Sequence, residues 1–261
     1  MNPSVLFVFI LSILLGVLRA ADLAFGTDAV TGLCVVGSVW WRYLALGIVV
    51  LAAVLVGRTQ PSHSEAVRSR RPLAGILAFV GAVCFLAAAG AQIALGAASG
   101  LGGFVRCILE CLCSAWLSTM GRCWLSPNEW KKPFGGLYLA VAGSLLFYWN
   151  VLLRFMENSS SWHRVTPTAA VWQALAALVF LTALARALHV PQPGNGKTLC
   201  AAGLAAFALC LCWQLPHVLV LMSGLSWATP AVWPEIFAGL GLCCVGSIGG
   251  VCAAACLNRQ S

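Results

Sequence analysis

Apolar residues in this chain neither alternate with polar ones nor recur at the spacing of an amphipathic surface helix; they run on. Eight such windows stand out: Ser4 to Ala24, Val35 to Gly57, Leu73 to Ala98, Leu101 to Met120, Phe134 to Phe155, Pro167 to Leu188, Thr198 to Leu221 and Val232 to Leu257. Each suits a helix crossing a hydrocarbon core ~30 Å thick, which takes ~20 apolar residues at 1.5 Å per residue. Strands of a membrane barrel would show ~10-residue segments with every second residue polar. Continuous runs instead predict helices, whose backbone groups are all satisfied within the segment. The pattern therefore predicts an all-α polytopic membrane bundle of about eight helices, forming a single transmembrane domain over residues 1–261.

The connections are short. The longest runs roughly from Arg58 to Pro72, which leaves no room between spans for a folded extramembrane domain. The first window lies where a signal peptide would. It has no Lys or Arg ahead of it, and Leu18-Arg19-Ala20 is a poor cleavage site, so a retained helix is expected.

Composition sharpens this reading. Of the 261 residues 61% are apolar and 8% are charged, against ~25% charged in a soluble domain, and the mean hydropathy is +0.93. Too little polar surface is available to cover a water-facing exterior, which excludes a soluble enzyme, and intrinsic disorder is equally excluded.

The formal charge of +8 belongs to orientation. With a cytoplasmic amino terminus, the inside loops carry Arg58, Arg68, Arg70, Arg71, Arg122, Lys131, Lys132, Arg186, Lys197 and Arg259. The outside loops carry Arg19, Arg42, Arg154 and Arg164. Lys and Arg concentrate on the cytoplasmic side of membrane proteins, so both termini are expected there. Removing the fourth window, the most polar, would reverse that bias, so a spanning fourth helix is expected. Trp40, Trp41, Trp124, Trp130, Trp162, Trp227 and Trp233 fall at window edges, where an indole prefers the headgroup level. The basic cluster before Pro72 suits anionic headgroups, and no nucleic-acid partner is expected.

Candidate chemistry lies inside the windows. Arg106 and Glu110, at i and i+4, share one face of the fourth helix, with Glu110 near mid-span. A lone carboxylate there would cost ~2.5–3.5 kcal/mol, so it must be paired, protonated or facing a wet cavity. The pair reads equally as a proton or substrate site and as a structural ion pair. Gln214, Pro216 and His217 interrupt the seventh window, where proline removes a backbone donor and opens the helix. Broken helices line transporter sites; the plainer reading is an ordinary kink. Gly96 with Gly100, and Gly246 with Gly250, form G-x-x-x-G pairs suited to close helix packing.

Thirteen cysteines, such as Cys210, Cys212, Cys243 and Cys244, lie mostly in apolar windows without zinc or iron–sulfur spacing. They read as small apolar packing residues, and no metal or cofactor is expected. Pro191 to Thr198 ends like a phosphate-binding loop, but proline stands where its first glycine belongs and a helix precedes it. It reads as a Gly-Asn-Gly turn. Without H-E-x-x-H or G-x-S-x-G, no enzyme activity is expected.

Two resemblances add to this. Leu18-Arg19, Asp28, Thr31-Gly32 and Trp41-Arg42-Tyr43 resemble the opening of a group of uncharacterised bacterial multi-pass proteins, over about the first 60 residues. This implies a bacterial plasma membrane and no particular activity. Lys131-Lys132-Pro133, a helix ending at Arg154, and Trp162 before Thr166-Pro167 are similar to the middle of the membrane anchor of dimethyl sulfoxide reductases. That resemblance implies a quinol-linked anchor for iron–sulfur and molybdenum subunits. The family has a histidine before Leu-Gly where this chain reads Ala94-Leu95-Gly96.

The function expected first is a small permease or membrane component of a transport system, with Arg106, Glu110, Gln214 and His217 near its pathway. A structural or interaction protein and the quinol-linked anchor are the alternatives. The lipid bilayer is the expected partner, with partner subunits or a second copy of the chain left open.

Overall fold

A computed structural model of the chain describes residues 3–27, 33–60, 63–96, 98, 100–126, 132–157, 165–190, 192–223 and 230–257. Eight helices there are long and apolar enough to span a membrane. They are α1 (Pro3–Ala21), α2 (Val39–Thr59), α3 (Pro72–Ala94), α4 (Gly100–Leu125), α5 (Gly136–Glu157), α6 (Val165–His189), α7 (Asn195–Ser223) and α8 (Trp233–Leu257). The expected all-α membrane bundle is what the structure has, and the fourth helix is among the eight, with the lowest mean hydropathy, 1.4. Asp28, Thr31, Gly32, Trp130, Lys131, Trp162, Arg164, Pro191, Trp227 and Arg259, which carry expectations above, lie outside the described residues.

Helix ends follow local chemistry. Ser38 caps α2 by accepting from the Trp40 N–H at 3.3 Å, just after Gly37 at φ +75°, so α2 starts four residues later than the apolar window. At the other end of the window pattern, α3 stops at Ala94 and not at Ala98. Leu95 and Gly96 turn back onto the Ala91 and Ile93 carbonyls, and Gly96 takes φ +67°.

On α2 and α3 the face that turns outward carries the large aliphatic side chains. Leu73, Ile76, Val80 and Val83 on α3 are exposed, as are Leu44, Ile48, Leu51 and Leu55 on α2, each set at helical spacing. The opposite face of α3 buries Ala74, Ala78, Ala82, Phe85 and Ala88. Lipid tails are as apolar as leucine, so association is driven by close packing, which small residues allow.

α3, α4, α5, α6, α7 and α8 each pack on the next, and α8 returns to α3, closing a ring; α1 and α2 pack outside it on α7. α7 and α8 cross in close contact. A Cβ on Gly203 would come 2.5 Å from the Gly249 carbonyl oxygen, and one on Gly246 would come 2.6 Å from the Leu211 nitrogen. Gly250 meets the Phe207 ring in the same seam. Gly246 and Gly250 thus sit at a helix contact. Gly96 and Gly100 do not: both have positive φ, and a Cβ on either would meet nothing within 4 Å, so they shape the α3–α4 turn.

The face bearing the α2–α3, α4–α5 and α6–α7 connections is tied together by arginine and tryptophan. Arg68 donates to the Ala187 and Leu188 carbonyls at the end of α6, at 2.9 and 3.3 Å, and Arg71 donates to Ala66. These cations therefore satisfy orphan carbonyls at a helix C-terminus and within the linker. Trp124, expected at the headgroup level, is instead fully buried, its indole donating to the Val67 carbonyl at 3.0 Å. The 3-10 turn Ser64–Arg68 folds back over it. Trp40 and Trp41 are exposed at the start of α2.

Candidate functional site

Inside the ring lies a cavity of about 470 Å³, lined from α1 and from all six ring helices. It lies in the half of the bundle toward the α1–α2, α3–α4, α5–α6 and α7–α8 connections, and among the described residues its mouth is where Thr166 and Pro167 open α6 and Pro234 and Glu235 open α8. Its floor is aromatic: Phe85, Phe147 and Trp213. Phe147 stands ten residues before the end of α5 and Trp213 ten before the end of α7, which is about 15 Å along a helix axis. That is about half of a ~30 Å hydrocarbon core. Beneath the floor the bundle is filled by Trp116, Leu117, Met120 and Phe180, all essentially inaccessible.

One wall carries the ion pair expected from sequence. Arg106 Nε donates to Glu110 Oε1 at 3.0 Å, and Glu110 is 1% exposed while Arg106 is 31% exposed. The sequence does not single out Gln92, whose amide donates to both Glu110 oxygens at 3.0 and 2.9 Å. Gln92 lies two residues from the end of α3, so Glu110 sits closer to the mouth than its place in α4 suggests.

The seventh helix departs from expectation in an informative way. It is not broken at Pro216. The distortion is a π-helical stretch, Phe207–Trp213, and α-helix resumes over Gln214–Ser223 with Pro216 buried inside it and absent from the cavity wall. Pro216 has no N–H to offer the Cys212 carbonyl four residues earlier. Gly16 of α1 packs on that carbonyl, where a Cβ would come within 2.7 Å of the oxygen. On the cavity side Gln173 of α6 serves the distorted turn, donating to the Leu209 carbonyl at 3.0 Å and to Gln214 Oε1 at 2.9 Å. Short π-helical stretches recur at functional sites because they turn side chains and free carbonyls toward a ligand. Gln214 and His217 do line the cavity. His217 Nε2 lies 3.8 Å from Glu235 Oε1, and its Nδ1 is buried with no hydrogen-bond partner among the described residues.

Arg19 is the other residue whose place the sequence misstates. Counted above among loop cations, it lies inside α1, 1% exposed, and lines the cavity. Its Nη1 donates to Asp22 at 2.7 Å and its Nη2 to Thr166 Oγ1 at 3.0 Å, while the guanidinium stacks over Trp213 at 4.7 Å. Asp22 also pairs with Arg42, which in turn bonds Cys34 Sγ and the Gly26 carbonyl. The resemblance residues Arg19 and Arg42 thus converge on one carboxylate. A second, larger hollow of about 680 Å³ lies between α3 and α4, lined by Ile93, Phe104, Ile108 and Leu112 with the Cys107 and Cys111 thiols. It offers a solute no charged group.

Set beside known proteins, the chain matches no family model, no curated protein and no solved structure. Fold and cavity define its class: a multi-pass α-helical integral membrane protein.

Proposed function

We propose that this protein is a small permease, or the membrane component of a transport system, and that the ring cavity is its solute site. The supporting observation is one cavity that gathers Arg106, Glu110, Gln214 and His217 with Arg19, Gln92 and Gln173, reaches one face and ends on an aromatic floor halfway down. Burying that many polar groups in hydrocarbon is costly, and intramembrane ionisable residues characteristically mark solute or proton paths. A scaffold working through its outer helix faces would have no use for them. In this reading the mouth faces outward and both termini lie in the cytoplasm, as the positive-inside bias of the loops supports, and the membrane is a bacterial plasma membrane, as the amino-terminal resemblance supports.

The test is solute-induced current from the purified protein in proteoliposomes, across a panel of small charged solutes, for the wild type and for Glu110→Gln. Loss of the current in Glu110→Gln, with unchanged insertion and yield, is the expected result. An unchanged current would remove Glu110 from the pathway.

A further inference from the structure

The charged groups of the cavity are unequally committed. Glu110, the buried carboxylate, already has both oxygens occupied by Arg106 and Gln92. The cations are not used up. Arg106 spends only its Nε on Glu110, leaving both terminal nitrogens, and Arg154 makes no hydrogen bond or ion pair among the described residues although it lines the same wall. Glu235 at the mouth lies in the field of Arg154, Arg106 and His217 together, and its side chain is 59% exposed. On the far wall Arg19 is buried, its Nε without a hydrogen-bond partner among the described residues. The protein has therefore supplied the donors its carboxylate needs and left guanidinium forks open, the geometry that matches a planar or tetrahedral oxyanion. Deeper in, the cavity ends on the aromatic rings of Phe85, Phe147 and Trp213, with the Gln173 and Gln214 amides bonded to each other beside them.

We infer that the ligand is a small organic anion, its carboxylate or phosphate held by Arg106 and Arg154 and its apolar body lying on the aromatic floor. Glu235 is then a tethered stand-in that screens these cations until the ligand's oxyanion displaces it. This rests on the solute-site reading above and adds the chemical class. A volume of about 470 Å³ is in the range of sites for compact small molecules.

Four probes sharing one aromatic body separate charge from fit: benzoate, phenyl phosphate, benzyl alcohol and benzylammonium. Binding is measured calorimetrically to the full chain in lipid nanodiscs. The expected result is that benzoate or phenyl phosphate binds at least ten-fold tighter than benzyl alcohol, with benzylammonium weakest. Arg154→Gln, an exposed position that leaves the Arg106–Glu110 pair intact, should weaken anion binding about ten-fold. Glu235→Gln should tighten it. Benzylammonium binding as well as benzoate, or no effect of Arg154→Gln, overturns the anion assignment while leaving a solute site in place. Failure of all four probes to bind overturns the anion assignment and the solute-site reading together.

Discussion

At the scale of single residues, the consequences of substitution follow from who is left without a partner. Glu110→Leu would leave the buried Gln92 amide and the half-buried Arg106 Nε without their acceptor, a loss of about 2–3 kcal/mol. Glu110→Gln keeps an acceptor and should cost about 1 kcal/mol. Thermal unfolding in detergent should therefore rank wild type above Glu110→Gln above Glu110→Leu; equal midpoints for the two variants would contradict the pairing. Trp124→Phe should cost about 1–3 kcal/mol, because the buried Val67 carbonyl loses its donor. An interfacial tryptophan would be replaced at almost no cost. The Arg106–Glu110 pair was legible in sequence because an i, i+4 spacing fixes a shared helix face. Gln92 and Gln173 were not, since each acts on a partner brought near only by packing, and an uncharged amide in an apolar run has no spacing signal; Arg19 has a local partner in Asp22, but its contacts with Thr166 and Trp213 exist only once the helices pack.

At the scale of elements, glycine has two different jobs, and substitution separates them. Gly246→Ala places a methyl against the α7 backbone and should destabilise by about 1–3 kcal/mol. Gly90, inside α3, has nothing within 4 Å of its Cβ position, so Gly90→Ala should raise stability by about 0.5–1 kcal/mol through helix propensity. Reversible unfolding in mixed micelles would show both signs; a stabilising Gly246→Ala would mean that α7 and α8 do not meet there. Helix existence and approximate ends were written in the apolar runs. The π-helical stretch of α7 was not, because it depends on Gln173 from α6 accommodating the widened turn, while Gly16 of α1 admits the nearby Cys212 carbonyl. Proline pointed to the right helix but not to the form of the distortion.

At the scale of the whole molecule, orientation and access can be measured together. A reporter at Ser160, between α5 and α6, should lie outside, and a cytoplasmic signal would invert the topology argued from charge. Ala238 lines the cavity near its mouth, so Ala238→Cys should be modified in intact cells by a membrane-impermeant thiol reagent. Modification only after permeabilisation would place the mouth on the cytoplasmic face.

The sequence by itself determined that the chain is a bundle of eight membrane-length helices, because lipid demands continuous apolar segments whose backbone groups are satisfied internally. It also marked the ion pair on α4 and singled out α7 as the interrupted helix, although the distortion lies just before the residues it pointed to. Tertiary structure alone decided which faces turn inward, since nearly every residue in these helices is apolar and hydropathy along the chain barely distinguishes one face from another. It alone gathered residues from seven helices into one cavity, because partners far apart in sequence become neighbours only once the ring closes.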